Sequence, residues 1–242
     1  MFSFIKPYIN PISLQEKTLN SLAAAGAILI LGYSLRISPH EALVLPLMAS
    51  MGASAFLVFV VPHSPMAQPW PLINGHVVSA TVGVASGHWI SNDIAAGACS
   101  VGLSLLAMQS LRCLHPPGAA TALAAAMSAA QTHGMVLQFL GYAVLGNAIL
   151  LFLIAYAINN LLLKRRYPLH HSHHPHHAQF QQSHAQDPSQ LNEDDIEWAL
   201  NQMDGIVDVS KEDLIDIYEL ALERASARDA TSGDSARKQR RG

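Results

Sequence analysis

The sequence predicts an all-α protein: a polytopic transmembrane helix bundle of about six spans with proline-interrupted segments, plus a small soluble helical hairpin as its tail. Three observations carry that reading. Half of the 242 residues are apolar and 13% are charged, against about 25% charge in an ordinary globular chain. The charge is also segregated, with ten charged side chains and a net +4 in residues 1–167, and 21 with a net −7 in the last 75 residues. Between Thr18 and Asn160 the charged residues are Arg36, Glu41, Asp93 and Arg112, each set between apolar runs.

These balances exclude two classes. Nucleic acid is not an expected partner, because neither part carries the clustered cations of such a footprint. A disulfide scaffold is excluded because Cys99 and Cys113 are the only cysteines and lie in or beside apolar runs, as buried thiols do.

Residues 1–17 form a polar segment that contains Pro7 and Pro11 and lacks a cleavable signal pattern, so the first apolar run is expected to be a retained span. The transmembrane domain then covers 18–166. Its runs are Leu19 to Leu35, Ala42 to Val61, Leu72 to Ile90, Ile94 to Leu111, Pro117 to Ala130 and Gly134 to Leu163. Most approach the ~20 residues needed to cross ~30 Å of hydrocarbon. The Pro117 run is short, and its length fits either a short span or a re-entrant helix. Lys6 and Lys17 precede the first run and Lys164, Arg165 and Arg166 follow the last. With six crossings both termini and Arg112 fall on the cytoplasmic side and only Arg36 lies outside, so six satisfies the cation bias best. The expected location is a bacterial inner (cell) membrane, multi-pass, with membrane lipid as a partner. Gly, Ala and Ser crowd the runs, as in Ala23 to Ala27, Ala49 to Ser54 and Ala95 to Ala98. Such residues let helix backbones approach closely where lipid supplies no hydrophobic drive.

Two breaks between the runs share His-x-Pro-x-Ala, at 63–67 and 115–119, a weak internal repeat with a spacing of 52 residues. Pro117 suits the first turn of a helix, and the residue before it is pushed out of helical geometry, so Arg112 to Pro116 is expected to be irregular. A helix starting there would present the N–H groups of Gly118, Ala119 and Ala120 with a positive dipole end. Gly118 would allow close approach, and Arg112 and His115 would add donors, which together describe a small-anion site over Arg112, His115, Pro116, Pro117, Gly118, Ala119 and Thr121. The same pattern also fits a cytoplasmic loop leading into a helix. His76 follows Gly75 near the start of the third run, with Asn74 and Gln68 close by, as a second set of candidate binding residues. A lone histidine at a membrane edge also serves as a hydrogen-bonded packing residue, the role expected of Asn147 in the last run as well.

The stretch Leu114-His115-Pro116-Pro117-Gly118-Ala119-Ala120-Thr121-Ala122-Leu123 resembles the motif that names the HPP family of integral membrane proteins. Ser64 to Trp70, then Gly75 to Ala80 with Val82-Gly83, is similar to the second signature of that family. The likeness covers roughly residues 14–165. It implies a membrane fold and, from photosynthetic members, transport of nitrite; most bacterial members have no assigned activity. Asn74 stands where many members have a second glycine, a departure that bears on the polar lining and the substrate. The resemblance favours the anion-site reading of Arg112 to Thr121 without identifying the anion.

Residues 167–190 are a linker rich in histidine, from His170-His171 and His173-His174 to His176-His177 and His184, without hydrophobic periodicity. It is expected to be a solvated, disordered segment with at most low-affinity metal binding. Residues 191–228 hold an acidic hairpin. Asn192 caps a helix with Ile196, Ala199, Leu200 and Met203 on one face, ended by Gly205. Ser210 opens a second with Leu214, Ile217, Tyr218, Ala221 and Leu222 on one stripe. In longer members of the resembled family a similar segment leads into paired CBS domains, for which about 17 remaining residues leave no room. The hairpin is expected to dock on the cytoplasmic face or to join subunits of a homo-oligomer, and the basic tail 229–242 to touch anionic lipid.

The expected function is therefore transport of a small inorganic anion, nitrite first among candidates. No cofactor or metal is expected, and no enzyme, because the bundle offers no carboxylate pair, Ser-His-Asp set or metal-spaced cluster. The rival is a non-transporting membrane scaffold or sensor that acts through its tail.

Overall fold

The computed structural model describes residues 13–36, 44–128 and 135–169, together with positions 209, 214, 215, 217 and 218. The chain divides into two compact units, Met1–His170 and His171–Gly242. In the second, Leu214, Ile215, Ile217 and Tyr218 are helical, where the second helix of the hairpin is expected. The histidine-rich linker beyond Leu169, the helix capped by Asn192 and the basic tail lie outside the described residues.

The described residues of the first unit form six helices and contain no strand. They are α1 (Leu14–Arg36), α2 (Val44–Val60), α3 (Pro69–Trp89), α4 (Asp93–Ser110), α5 (Pro116–Met127) and α6 (Val136–Leu162), with a 3₁₀ turn at Pro65–Ala67. Each coincides with one apolar run. Proline opens α3 at Pro69 and α5 at Pro116, where its missing N–H costs nothing, and Asn92 caps α4 by accepting from Ala95 N–H at 2.9 Å. By length and composition α1 and α6 are long and apolar enough to cross a membrane. At 12 residues α5 is about 18 Å long, well short of the ~30 Å hydrocarbon core.

The distribution of side chains is that of a bundle in lipid. Leu22, Leu29 and Ile30 on α1, Leu106 on α4 and Leu153 and Leu161 on α6 point outward, whereas Ser50, Ser54, Ser79, Ser100, Ser104 and Thr121 are buried. Water would penalise so broad an apolar exterior, and lipid does not.

Helices α3 and α5 pack closely against each other. Gly75, Ser79 and Gly83 recur at four-residue intervals on α3 and face Gly118, Ala122 and Ala125 of α5. A Cβ on Gly83 would stand 2.3 Å from Ala122 O and 2.7 Å from Ala125 Cβ, and one on Gly75 would stand 2.5 Å from His115 Cβ. The small residues read from sequence as packing therefore set the distance between these backbones.

Helix α6 contains two π-helical stretches, Phe139–Gly146 and Ile158–Leu162. Widened turns of this kind leave backbone groups to be met by side chains. Asn147 Nδ2 donates to Ala143 O at 3.0 Å, and Asn159 Nδ2 donates to Ala155 O and, across to α2, to Val58 O, both at 3.0 Å. Beyond α6, Arg165 gathers three partners: Nη1 donates to Phe59 O at 2.9 Å, and Nη2 to Glu16 Oε1 at 2.6 Å and Asn20 Oδ1 at 3.0 Å. A guanidinium thus closes the C-terminal end of α2 and ties α1 to the end of α6. Both cysteines are free thiols, as expected, but only Cys113 is buried; the expectation of a buried Cys99 is corrected, since its side chain lies on the exposed face of α4.

Candidate functional site

Four fully buried polar side chains meet where α2, α3 and α5 come together: Ser54, His76, His115 and Thr121. Ser54 stands on the small-residue face of α2, His76 on the α3 face that carries Gly75, and Thr121 one turn into α5. His115 is the residue before Pro116 and takes extended geometry (φ −137°, ψ 101°), as a residue preceding proline must. That turn swings its imidazole off the start of α5 and into the bundle.

Both imidazoles direct Nε2 to one hydroxyl. Ser54 Oγ lies 2.8 Å from His76 Nε2 and 2.8 Å from His115 Nε2. The rings themselves meet edge to face with centroids 4.9 Å apart. At the outer ends His76 Nδ1 is 2.7 Å from Thr121 Oγ1, and His115 Nδ1 is 2.8 Å from Met66 O.

The carbonyl at one end fixes every proton in the neutral cluster. Met66 O accepts only, so His115 carries its proton on Nδ1 and its Nε2 accepts from Ser54. The single Ser54 proton is then used, so His76 donates from Nε2 to Ser54 and accepts at Nδ1 from Thr121. The donors run in one direction from Thr121 to Met66.

Met66 belongs to the 3₁₀ turn Pro65–Ala67, so the two His-x-Pro-x-Ala copies touch: the carbonyl of the first accepts from the histidine of the second. Their histidines nonetheless differ, His63 being exposed and His115 buried. The turn is held from its other side by the segment after α6. Tyr167 Oη donates to Ala67 O at 2.8 Å, and Leu169 N–H donates to Gln68 Oε1 at 2.9 Å. Burial pushes the Tyr167 phenol up, which keeps it protonated as a donor.

Of the residues singled out from sequence, His76, His115 and Thr121 come together in this cluster. Gln68 lies beside it and spans the break, its Nε2 donating to Pro62 O at 2.9 Å and Ser64 O at 3.0 Å. Asn74 is turned back on its own helix, donating to Trp70 O at 3.1 Å. Arg112 is exposed at the end of α4 in left-handed geometry (φ 51°) and has no side-chain partner among the described residues. Its N–H donates to Gln109 O at 3.2 Å and that of Cys113 to Met108 O at 2.9 Å, the two bonds of a Schellman cap.

The expected row of free donors at the start of α5 is corrected by the geometry. The helix begins one residue early, at Pro116; Pro116 and Pro117 have no N–H, and Gly118 N–H is already bonded to His115 O at 2.7 Å. Gly118 faces α3 and α4, where a Cβ would meet Ser79 Oγ at 2.8 Å, Gly75 O at 2.9 Å and Met108 Sδ at 3.0 Å. Its missing side chain makes room for helices. Ala119 is half-buried beside it. An open groove of about 390 Å³ between α2 and α5, lined by Ala53, Phe56, Leu57, Pro116, Pro117 and Ala120, passes over the residues that flank Ser54 and His115.

Sequence reasoning missed Ser54, Tyr167 and the Met66 carbonyl. Nothing in the sequence separates Ser54 from Ser50, the other serine of α2; the proline break does flag the turn, where a main-chain acceptor is left free. Among the described residues no three His, Cys, Asp or Glu side chains gather as metal ligands.

Comparison with known proteins agrees with a membrane bundle. A transmembrane protein of Dictyostelium discoideum is 38% identical over 161 residues, covering 65% of this chain and 56% of its own length. A second from the same organism is 41% identical over 128 residues, covering 51% of this chain and 40% of its own. The chain thus spans about half the length of the curated relatives it matches. No solved structure is significantly similar. The match to the HPP transmembrane region runs over residues 9–168, two thirds of the chain, and this protein belongs to the HPP family of transmembrane proteins.

Proposed function

We propose that the chain is a multi-pass transporter that moves a small inorganic anion, nitrite being the first candidate, across the inner (cell) membrane of a bacterium. The observation that carries the reading is the buried Ser54–His76–His115–Thr121 cluster. Polar and ionisable groups inside a lipid-facing bundle are costly and mark substrate or ion paths. Here they lie beside the proline-led starts of α3 and α5, next to the groove between α2 and α5. The anion is met by the imidazole and hydroxyl groups, with Gln68 at the edge. This activity involves no covalent step.

Uptake by the full chain reconstituted in liposomes, against nitrite, nitrate, formate, bicarbonate and chloride, tests the reading. Saturable uptake of one anion, lost in His115→Ala, is the expected result; no uptake of any of the five would discard it. The multi-pass arrangement has its own test, because a cysteine at exposed position 63 should label from the cytoplasmic side.

The scaffold reading keeps one observation in its favour, the bonds from Tyr167 and Leu169 to the Pro65–Gln68 turn, which link the entry to the tail with the site. A chain ending at Leu169 retains both bonds and loses the tail, so it should keep its flux if the bundle transports and lose its effect if the tail is the working part.

A further inference from the structure

We propose that the His76–Ser54–His115–Thr121 cluster is a binding site for one exchangeable proton, carried together with the anion. The coupling half rests on the transporter reading above; the proton site stands on the geometry alone.

Each hydroxyl of the cluster has a second acceptor in reach. Ser54 Oγ lies 3.1 Å from Ser50 O, and Thr121 Oγ1 lies 3.4 Å from Pro117 O. In the neutral cluster these carbonyls are not needed, because Ser54 donates to His115 and Thr121 to His76. When a proton arrives on His115, both of its nitrogens donate, Nδ1 still to Met66 O and Nε2 now to Ser54 Oγ. Ser54 turns its own hydrogen to Ser50 O and accepts from both imidazoles with its two lone pairs. When the proton sits on His76 instead, Nδ1 donates to Thr121 Oγ1, and Thr121 turns its hydrogen to Pro117 O. Every donor therefore has an acceptor with zero or one added proton, whichever ring holds it; because His76 Nε2 is protonated in both forms, Ser54 does not relay the proton, and the two forms interchange by release to and uptake from solution. A second proton is excluded, since it would place two cations with ring centroids 4.9 Å apart in a buried site.

The cluster holds a proton and does not conduct one through. Its far end is Met66 O, a carbonyl that accepts a hydrogen bond and passes nothing on, so the proton enters and leaves on the side of Ser54, His76 and Thr121.

Among the described residues no carboxylate packs against the cluster to balance the added charge. Helices α2 and α5 contain no titratable side chain, and α3 contributes His76 with His88 at its exposed end. On α4 Asp93 and Cys99 are exposed; on α6 Tyr142 and Tyr156 are exposed; the Cys113 thiol is buried after α4, Tyr167 is bonded to Ala67 O, and on α1 Glu16 is bonded to Arg165 while Lys17, Tyr33 and Arg36 are exposed. Among the described residues a protonated cluster is thus a buried cation without a counter-ion, and a monovalent anion is what neutralises it. Proton and anion then bind as a neutral pair, which ties one to the other.

Nitrogen-15 spectra of the imidazoles in the full chain in lipid nanodiscs, assigned by His76→Gln and His115→Gln, test the site between about pH 8 and pH 4. The neutral spectrum should show His115 protonated on Nδ1 and His76 on Nε2. Acidification should add one proton to the pair, and Ser54→Ala, which removes the hydroxyl that accepts from both rings, should move that single step to lower pH. Imidazoles that stay neutral throughout, or titrate independently with Ser54 intact, would overturn the proton site. Liposomes at zero membrane potential, with protein-free vesicles as the blank, test the coupling. An outside-acid gradient should drive anion accumulation, and His115→Gln should remove that drive; protein-dependent flux indifferent to the gradient would overturn it. The absence of any protein-dependent flux would refute the transporter reading and the coupling with it, while the spectra decide the site independently.

Discussion

His115 and Tyr167 hold neighbouring carbonyls of one three-residue turn: Nδ1 of the first donates to Met66 O and Oη of the second to Ala67 O, each at 2.8 Å. The turn Pro65–Ala67 is thereby clamped between the buried cluster and the segment that leads to the tail. Tyr167→Phe removes one clamp and leaves the buried Ala67 region with an unpaired acceptor, which costs about 1–3 kcal/mol. Thermal unfolding in detergent should show that loss, and the His115 Nδ1 resonance should shift although residue 167 does not touch the ring. An unchanged His115 signal would mean that the turn keeps its place without Tyr167.

Arg165 separates two kinds of contribution at the end of the bundle. Its partner Glu16 has a side chain that is 46% exposed, so Glu16→Gln should cost only about 0–1 kcal/mol and lose part of that in high salt. Arg165→Ala also strands Phe59 O and Asn20 Oδ1, groups packed against the bundle, and should cost about 2–3 kcal/mol. Equal losses in the two variants would place the value of Arg165 in its ion pair.

Glycines that look alike in sequence should respond oppositely. Gly83→Ala puts a methyl 2.3 Å from a backbone carbonyl that cannot move without shifting α5, and should cost about 1–3 kcal/mol. Gly52→Ala and Gly102→Ala place a methyl where nothing lies within 4 Å, and should be neutral or stabilising by up to about 1 kcal/mol through helix propensity. Denaturation of the three variants in one detergent checks the contrast, and a stable Gly83→Ala would mean that α3 and α5 can separate.

The helices were legible because each coincides with an apolar run, and because proline marks where α3 and α5 begin. The cluster was half legible. His115 and Thr121 fall inside a motif, and His76 follows a glycine whose absent side chain turns out to make room for His115. Ser54 was invisible, since its role depends on two rings from α3 and α5 converging on it, a property of the packing between helices and not of its own neighbours in sequence. Arg112 drew attention as a charge at the end of a span with no carboxylate nearby. Its conformation accounts for its position without a ligand, because the chain needs a left-handed residue to end α4.

That conformation gives Arg112 a test that does not depend on transport. A non-glycine residue in left-handed geometry costs about 1–2 kcal/mol relative to glycine, from the approach of Cβ to the carbonyl. Arg112→Gly should recover up to about 1 kcal/mol after the entropy of glycine is set against the strain, and Arg112→Val should lose about 1–2 kcal/mol, because a β-branched side chain tolerates φ 51° least. Arg112→Lys leaves the cap unchanged and exchanges the planar fork of the guanidinium for a point charge. If Arg112 serves only as the cap of α4, nitrite uptake by the Lys and Gly variants matches wild type while their stabilities diverge. If it receives the anion before the buried cluster does, uptake falls in both, and falls in Arg112→Lys although its stability is unaltered, since a point charge no longer grips a planar anion at two oxygens.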